Sequence, residues 1–375
     1  MVKSLKSAFI PWSKPTLFGD EERYLLDALK STWISGGPYV ERLERIIPDH
    51  LGIRHGIAVS NGTSALQLGL LGLGVGPGDE VIVPGYTFVA AINMVLAVGA
   101  TPVFADINPD TWCIDVKEVE RAITRHTRAV IPVHLYGNVA NMPALMALAR
   151  AHGLAVVEDT AESAFSLLGG RFAGTFGDIG TLSFQATKTI TTGEGGMVLT
   201  DDSNLCSRML TVRDHGMPKD KRYWHEVVGF NFRLTNLQAA LGCAQFERLD
   251  SILTERRRVY ERYCSALADI PEIEMQHFSE GLEAVVWTVA VRLWSDRVTI
   301  SRDELMQGLL EKGIETRPGF YTPSDIPLYD CPLLPVSQQV SEDVLCLPAY
   351  PKLKDSEIDH VCEMLKQILD DGHAV

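Results

Sequence analysis

Lys188 lies among small, hydroxyl-bearing and glycine residues, whereas a surface lysine usually has charged neighbours. The segment Gly180–Asp202 reads GTLSFQATKTITTGEGGMVLTDD, with an apolar, strand-like piece at each end. Glycines let backbone amides approach an anion, and burial lowers the pKa of an amine and makes it a nucleophile toward carbonyl carbon. The segment alone fits two interpretations: a lysine that forms a Schiff base, and an ordinary loop lysine.

Residues that could bind a phosphate and a planar ring follow two apolar segments. The helix start after His55–Ser60 reads NGTS at positions 61–64, and free amides at a helix start bind anions. A plain helix cap by Thr63 or Ser64 is the alternative interpretation. Phe88 follows the next apolar segment, where it could stack on a ring or pack in the core.

Acidic residues end another apolar segment, which reads LAVVEDTAE and closes with Glu158, Asp159 and, shortly afterwards, Glu162. A carboxylate at such a place is costly unless it meets a cation or a donor, and a protonated pyridine nitrogen would supply one. For Glu158, an exposed position at the strand end is an equally good interpretation. His134 ends a further strand, where it could line a site or cap a turn.

These features together meet the needs of pyridoxal phosphate. They offer an imine partner, a phosphate cradle, a ring stack and a counterion for the pyridine nitrogen. By contrast, the segment GLGVGPGDE at 72–80 is not G-x-G-x-x-G and it precedes a strand, so a dinucleotide site is unsupported. The combination predicts a pyridoxal phosphate site.

The elements that must position these residues alternate between strands and helices. The strand candidates are His55–Ser60, Val81–Pro84, Thr101–Ile107, Arg128–His134, Leu154–Asp159, Thr181–Phe184 and Gly195–Thr200, and the helix candidates are Ser64–Leu73, Phe88–Val98, Lys117–Arg125 and Met142–His152. Continuous Val/Ile/Ala runs are typical of strands buried on both faces. The alternation predicts an α/β fold with a mostly parallel, seven-stranded mixed sheet between helices, whose ligands bind beyond the carboxyl ends of the strands.

A smaller α+β unit is expected after this sheet. A helical pattern runs from Thr235 to Leu267, and its charged stretch Glu255–Arg258 is interpreted as a solvated helix face. Beyond it come an apolar run, Val285–Leu293, and two helices, at Arg302–Lys312 and Ser356–Leu369. We therefore predict a large cofactor-binding domain at 1–248 and a small C-terminal domain at 249–375.

Composition describes an ordinary globular protein and excludes some partners. The 375 residues carry 34 basic and 48 acidic side chains, a net charge of -14, which argues against nucleic acid or an anionic membrane as the main partner. Seven scattered cysteines with no CxxC predict neither a disulfide framework nor a metal site. The longest apolar stretch is interrupted and too short for a membrane span, and the N-terminus has no apolar signal core, so we expect a cytoplasmic protein.

The chain resembles the sugar aminotransferases of the DegT/DnrJ/StrS family, which have fold type I and use pyridoxal phosphate. The resemblance covers almost the full length. It is carried by TWISGGPYVERLE (Thr32–Glu44), SNGTSALQL, GDEVIVPGYTFVA, PVHLYGN, VVEDTAESA, GTFGDIGTLSF, TKTITTGEGGMV, GFNFRLTNLQAALG and LPAYPKL. Within the family, TWIS, RYWHEVVGFNFR (Arg222–Arg233) and GIETRPGFY (Gly313–Tyr321) look most like the perosamine-synthase and viosamine-synthase branch.

The resemblance implies roles for the cofactor residues by motif. Lys188 corresponds to the imine-forming, proton-carrying lysine, and Asp159 to the carboxylate that faces the pyridine nitrogen; these two are the expected catalytic residues. Phe88 corresponds to the ring-stacking aromatic, and Glu162 lies where the family often has Gln, His or Glu beside the ring. The expected phosphate ligands are Gly62, Thr63, Ser64 and Ser183, together with Asn231 from the neighbouring subunit. A homodimer with shared active sites, alone or within a tetramer, is therefore implied.

The implied reaction moves the amino group of L-glutamate to the C4 keto group of a 4-keto-6-deoxyhexose carried by a nucleoside diphosphate. Cations for the substrate anions are expected among Arg222, Arg233 and Arg317, for which ordinary salt bridges are the competing interpretation. The other substrate-binding candidates are Trp33, His134 and Tyr321, together with Tyr223, Trp224 and His225 from the partner subunit.

Departures from the branch pattern leave the exact sugar open. Gln185-Ala186-Thr187 precede the lysine where the branch often reads SFFGNK, and Ser324 stands where it often has a histidine. Amination at C3 of a nucleotide 3-keto sugar and a non-catalytic binding protein with the same fold are the alternative functions. A sugar 3-dehydratase is disfavoured, because that pattern replaces the lysine with histidine.

Overall fold

The computed structural model describes residues 9–218, 220–294 and 296–373. Its helices are α1 (Glu21–Lys30), α2 (Pro38–Leu51), α3 (Gly62–Leu73), α4 (Ala90–Ala97), α5 (Val116–Ala122), α6 (Met142–His152), α7 (Ser203–Arg213), α8 (Asn236–Phe246), α9 (Leu249–Leu267), α10 (Arg302–Glu311), α11 (Pro335–Asp343) and α12 (Asp355–His373), with a short 3-10 helix at Pro323–Asp325. Its strands are β1 (His55–Val59), β2 (Glu80–Pro84), β3 (Thr101–Ala105), β4 (Thr127–Val130), β5 (Ala155–Asp159), β6 (Leu167–Leu168), β7 (Arg171–Phe172), β8 (Ile179–Ser183), β9 (Gly196–Thr200), β10 (Ile273–Met275), β11 (Leu282–Glu283), β12 (Val289–Leu293), β13 (Arg317–Pro318) and β14 (Val344–Leu347).

The central sheet contains all seven predicted strands, in the order β1-β9-β8-β5-β4-β2-β3. The pairs from β8 to β3 are parallel, and β9 is antiparallel to both of its neighbours. β1 therefore points the same way as β8, so six carboxyl ends share one edge with the start of β9. The predicted mostly parallel α/β architecture is confirmed.

The strand predicted at Arg128–His134 ends earlier than expected, at Val130. Pro132 has no backbone N–H to donate, although its carbonyl accepts from the amide of Asp159 at 2.9 Å. The pairing resumes as an isolated bridge between Val133 and Asp159. His134 thus follows a broken ladder, and its own amide donates to the Asp159 carbonyl.

The single helix predicted from Thr235 to Leu267 is wrong, because the chain forms α8 and α9 with a break at Glu247 and Arg248. Both residues at the break are held by the N-terminal helices. The Tyr24 hydroxyl donates to the Glu247 carboxylate at 2.7 Å, and Arg248 donates to Asp20 at 2.9 Å. These contacts fix the bend, and a pattern of apolar spacing carries no information about them.

A second, antiparallel sheet, β10-β12-β14-β13, shares a hydrophobic core with α9, α10 and α12. Its hydrophobic core contains residues from Val259 onwards and also Ile10, whose backbone pairs with Gly313 and Glu315. Ile10 therefore packs in this second core, although it precedes the central sheet in the sequence. The predicted division at residue 248 stays a prediction. Within the described residues, no helix is both long and apolar enough to cross a membrane.

Candidate active site

A cavity of about 710 Å³ opens at the carboxyl edge of the central sheet. Its floor is formed by the starts and ends of the central strands, and its rim by residues 317–321, which include β13 of the second sheet. The sequence-predicted site residues that line it are Gly62, Thr63, Phe88, Asp159, Glu162, Ser183, Lys188, Arg317 and Tyr321. The structure therefore brings the predicted lysine, carboxylate, phosphate loop and aromatic residue together.

The loop that carries Lys188 is held by its own hydroxyl and amide groups. The Gln185 side-chain oxygen accepts from the amide and the hydroxyl of Thr187, at 2.8 and 2.7 Å. The backbone turns here, since the Lys188 amide donates to the Gln185 carbonyl at 2.9 Å. The Thr191 hydroxyl donates to the Phe184 carbonyl. The small polar residues noted in the sequence thus build a tight loop at the end of β8.

The Lys188 amine is largely removed from water. It lies 3.6 Å from a carboxylate oxygen of Glu162 and 3.6 Å above the centre of the Trp287 ring. Burial lowers the pKa of this amine, and the nearby carboxylates of Glu162 and Asp159 oppose that effect. A buried amine with a lowered pKa is suited to attack a carbonyl and to carry a proton.

Two buried carboxyl groups face the amine. Burial raises the pKa of Asp159, whose carboxylate accepts from the amide of Ala161 at 3.0 Å. Burial raises the pKa of Glu162 to about 7, against the opposing charge of Lys188. The Glu162 side chain also accepts from the Tyr136 amide at 3.2 Å. A pyridinium nitrogen beside Asp159 would supply the cation that stabilises its ionised form.

The first turn of α3 offers an anion cradle. Asn61 caps the helix by accepting from the Ser64 amide at 2.7 Å. The amides of Gly62 and Thr63 lie in the first turn and therefore have no intrahelical acceptor. A Cβ on Gly62 would lie 2.9 Å from that of Ser183, which shows how closely the strand end approaches the helix start. Both sides of this junction line the cavity. The arrangement is suited to a phosphate.

Ser64, predicted as a cofactor ligand, lies next to this cradle but does not line the cavity. Its amide is taken by Asn61, and its hydroxyl lies 3.2 Å from that of Ser60. The position therefore fits the capping interpretation better than phosphate contact.

Aromatic residues also line the cavity. Phe88 is 54% exposed and lies at the cavity rim, 5.9 Å from Phe320. Arg317 lies over Trp12 and forms an ion pair with Glu315 at 2.6 Å. Phe88 thus has a free face for a planar ring, whereas Arg317 already has a carboxylate partner.

His134 is fully buried and does not line the cavity, which corrects its prediction as a substrate ligand. Its Nδ1 accepts from the Ala140 amide, so Nε2 carries the hydrogen and donates to Glu158 at 3.1 Å. Glu158 is also fully buried and accepts from the amides of Gly174 and Gly177, which corrects the exposed interpretation. His134 and Glu158 therefore link the segment after β4 to β5 and to the loop that contains Gly174 and Gly177.

The remaining predicted substrate ligands lie outside the cavity of a single chain. They are Trp33, Arg222, Tyr223, Trp224, His225 and Arg233, and the predicted phosphate ligand Asn231 joins them. Tyr223 is 76% exposed and Trp33 63% exposed. Asn231 accepts from Arg233, which also pairs with Asp214 at 3.1 Å. One chain does not bring these residues to Lys188, so their roles stay predictions for an assembled dimer.

Three residues at the site escaped prediction from the sequence. Trp12 and Trp287 line the cavity, and their rings meet edge to face at 5.7 Å. Arg256 is only 6% exposed and donates to the Lys188 carbonyl at 3.0 Å, so the interpretation of Glu255–Arg258 as a solvated face is wrong at this position. Spacing could have found Arg256, since it lies four residues after buried Ile252 on the same face of α9.

Comparison with known proteins agrees with this geometry. The GDP-perosamine synthase of Caulobacter vibrioides is 41% identical over 360 residues, which cover 95% of this chain and 97% of that protein. The GDP-perosamine synthase of Vibrio cholerae is 39% identical, over 95% of this chain and 98% of that one. Among solved structures, S. venezuelae DesV in complex with a ketimine intermediate superposes with a TM-score of 0.89 at 33% identity, covering 97% and 99% of the two chains.

Residues 16–366 match the sequence pattern of a single family of enzymes. That match includes the lysine loop, the α3 cradle and the carboxylates of β5, and its extent leaves only short pieces at either end. The chain belongs to the DegT/DnrJ/EryC1/StrS aminotransferase family.

Proposed function

We propose that this protein moves the amino group of L-glutamate to the C4 keto group of a nucleoside-diphosphate 4-keto-6-deoxyhexose, with pyridoxal 5′-phosphate as cofactor. The observation that carries the proposal is the buried Lys188 amine, 3.6 Å from Glu162 in a cavity that also contains Asp159 and the α3 cradle. The relatives named GDP-perosamine synthase, 38–41% identical over nearly the whole chain, support a 4-amino sugar as the product.

The residues present fit the cofactor. The free amides of Gly62 and Thr63, with Ser183 beside them, suit its phosphate, and the exposed face of Phe88 suits its ring. Asp159, a buried carboxyl whose pKa is raised by burial, suits its ring nitrogen. When bound, pyridoxal 5′-phosphate supplies an aldehyde for Lys188 and a ring that withdraws electrons from the carbon bearing the amino group.

The protein's own groups divide the proton chemistry. With the cofactor bound, Asp159 would hold a proton on the ring nitrogen by offering it a buried negative charge. The Lys188 amine would take a proton from, or return one to, the carbon that bears the amino group, a task that favours an amine of lowered pKa. Glu162, with a pKa of about 7, can hold a proton or release one beside Lys188 at neutral pH.

The nucleotide sugar is expected to enter through the open side of the cavity. Arg317 and Tyr321 lie at the rim of the same chain. We assign the remaining contacts to the partner subunit of a homodimer, alone or within a tetramer, whose residues 222–225 and Asn231 would close the site. The exposed side chains Trp33, Tyr223 and Val228 support a subunit interface, since large exposed apolar groups mark protein contacts. The cytoplasmic location stays a prediction.

A spectroscopic experiment tests the proposal. Protein reconstituted with pyridoxal 5′-phosphate should absorb near the visible range and turn colourless with L-glutamate, and a nucleotide 4-keto sugar should restore the colour. A panel of GDP-, dTDP- and UDP-linked keto sugars then identifies the nucleotide. Restoration only by a 3-keto sugar would favour C3 amination, and bound cofactor that no amino acid bleaches would favour a non-catalytic binding protein.

A further inference from the structure

Arg256 and Trp287 both contact the loop that carries Lys188. Arg256 lies in the middle of α9 and donates to the carbonyls of Trp287 and Lys188, at 2.8 and 3.0 Å. The Trp287 indole donates to the Thr187 carbonyl at 2.8 Å. Two neighbouring peptide groups of the lysine loop are therefore bound by side chains that follow residue 248 in the sequence.

The charge of Arg256 is not neutralised by a carboxylate among the described residues. Its hydrogen-bond partners are backbone carbonyls, its Nε has no partner there, and burial lowers its pKa to about 10. A buried, unpaired guanidinium is costly, so its place needs a reason beyond packing. Its positive charge acts against the ammonium form of Lys188.

The ring of Trp287 holds the free end of the same lysine. The Lys188 amine lies 3.6 Å from the ring centre, a cation–π distance, and the edge of Trp12 packs against the ring at 5.7 Å. The same two residues therefore hold the main chain and the amine of Lys188. Arg256 binds the carbonyls of Lys188 and Trp287, and Trp287 contacts the Thr187 carbonyl and the Lys188 amine.

We propose that Arg256 and Trp287 are positioning residues, which together hold the Lys188 backbone and amine where proton transfer occurs. This inference rests on the proposed role of Lys188. The charged groups that face the amine are Glu162 and Asp159 from the sheet side and Arg256 from α9. Arg256 is the only cation of this set, so its removal should make the Lys188 amine more basic. Its removal should also loosen the lysine loop and thereby slow the chemical step.

The first test measures the basicity of Lys188 in cofactor-free, full-length protein. Trace acetylation with acetic anhydride across a pH series, read by peptide mass spectrometry, gives the titration midpoint of each lysine, with exposed Lys117 and Lys366 as internal references. Arg256→Met should raise the Lys188 midpoint by about one pH unit. Arg257→Met is the matched control, because Arg257 is the exposed neighbour on the same helix, and should leave it unchanged.

The second test measures turnover. Arg256→Met should lower kcat about tenfold with little change in KM for the keto sugar, because the residue touches only the lysine loop and Trp287. Trp287→Phe keeps a ring under the amine but loses the bond to Thr187, so its kcat should fall less than that of Trp287→Leu. Trp294→Phe is the control, because Trp294 does not line the cavity, and this variant should retain kcat.

Folded Arg256→Met protein with the wild-type Lys188 midpoint and kcat would overturn the inference. If that variant does not fold, equal and undiminished kcat in both Trp287 variants would overturn it. Failure of the proposed function has a different signature: wild-type protein would transfer no amino group, while the acetylation midpoints could still be measured.

Discussion

At the scale of single residues, the site joins an amine and a carboxyl group that share one buried space. Lys188 and Glu162 lie 3.6 Å apart, and burial shifts both pKa values toward the neutral forms, to about 7 for Glu162. Asp159 adds a second carboxyl group with a raised pKa. Burial of these groups therefore keeps a proton mobile beside Lys188, and it lowers the stability of the folded protein.

Replacement of Glu162 by Gln should reveal this loss of stability, because the loss depends on pH. The carboxyl pKa is about 7 in the folded protein, against the ordinary glutamate value of 4.5 expected for the unfolded chain, so the folded protein binds the extra proton between these values. The free energy of unfolding of the wild type, compared with that of Glu162→Gln, should then fall by on the order of 3 kcal/mol as pH rises from about 4.5 to 7. The measurement is the melting temperature of both cofactor-free proteins at pH 5 and pH 8.

The melting-temperature advantage of Glu162→Gln should be larger at pH 8 than at pH 5. Glu363→Gln, at an exposed position on α12, should show no such change. An advantage that stays constant with pH, or that grows toward acid pH, contradicts the assignment of a raised Glu162 pKa.

At the scale of elements, the phosphate cradle depends on how closely β9 approaches the start of α3. A Cβ on Gly196, the first residue of β9, would lie 2.7 Å from backbone atoms of Asn61 and 2.8 Å from the Gly62 nitrogen. Main-chain atoms cannot rotate away as a flexible side chain can. Glycine at position 196 therefore allows the strand and the helix cap to meet.

Gly196→Ala should weaken cofactor binding by displacing the α3 amides. Overpacking of this kind costs about 1–3 kcal/mol, and a loss of 1.4 kcal/mol corresponds to a roughly tenfold higher Kd for pyridoxal 5′-phosphate. Fluorescence titration of the apoprotein measures the Kd. Gly76→Ala is the control, since the nearest atom to its Cβ would be 3.8 Å away, and it should bind normally. Equal affinity in the two variants would refute the role of the junction.

The sequence predicted the elements well where burial on both faces imposes a simple pattern. All seven central strands and α6 were predicted, because continuous apolar runs bounded by turns describe buried strands. The break between α8 and α9 was missed, since it depends on Tyr24 and Asp20, which are distant in sequence. His134 was misassigned for a related reason: a strand-end position does not reveal which face of the sheet a side chain meets.

The sequence pointed to residues that the structure brings together in one cavity, but it did not point to Arg256 and Trp287. Lys188, Asp159 and Phe88 belong to loops at strand ends, where topology alone brings them together. Arg256 lies on α9 and Trp287 in the segment before β12, so their contacts with the lysine loop depend on how residues after 248 pack against it. A charged run such as Glu255–Arg258 usually faces solvent, and only packing singles out the buried member.

At the scale of the whole molecule, one chain leaves its cavity open and several of its expected ligands on the surface. Tyr223 is 76% exposed and Val228 is 86% exposed, and neither these residues nor Asn231 line the cavity. In a two-fold symmetric dimer, each subunit gives to its partner what it receives. The proposed shared sites therefore predict that two inactive variants can complement each other.

Mixing Lys188→Ala with Asn231→Ala subunits should restore activity if Asn231 acts in the partner's site. A mixed dimer would contain one site with both changes and one with neither, so random mixing gives about a quarter of wild-type activity. Each variant alone should be nearly inactive. The assay is amino transfer after co-refolding or co-expression, and activity no higher than that of the parents would show that Asn231 and Lys188 serve the same subunit's site.

The central claim is that Lys188 is the catalytic lysine in the transfer of an amino group from glutamate to C4 of a nucleotide sugar. Its most direct measurement is NMR of the sugar after incubation of the holoenzyme with ¹⁵N-glutamate and a GDP-linked 4-keto-6-deoxyhexose. The account predicts ¹⁵N bonded to C4 with wild-type protein and a loss of at least about a thousandfold in rate with folded Lys188→Ala. Transfer at the wild-type rate by Lys188→Ala, or ¹⁵N at another carbon, would contradict it.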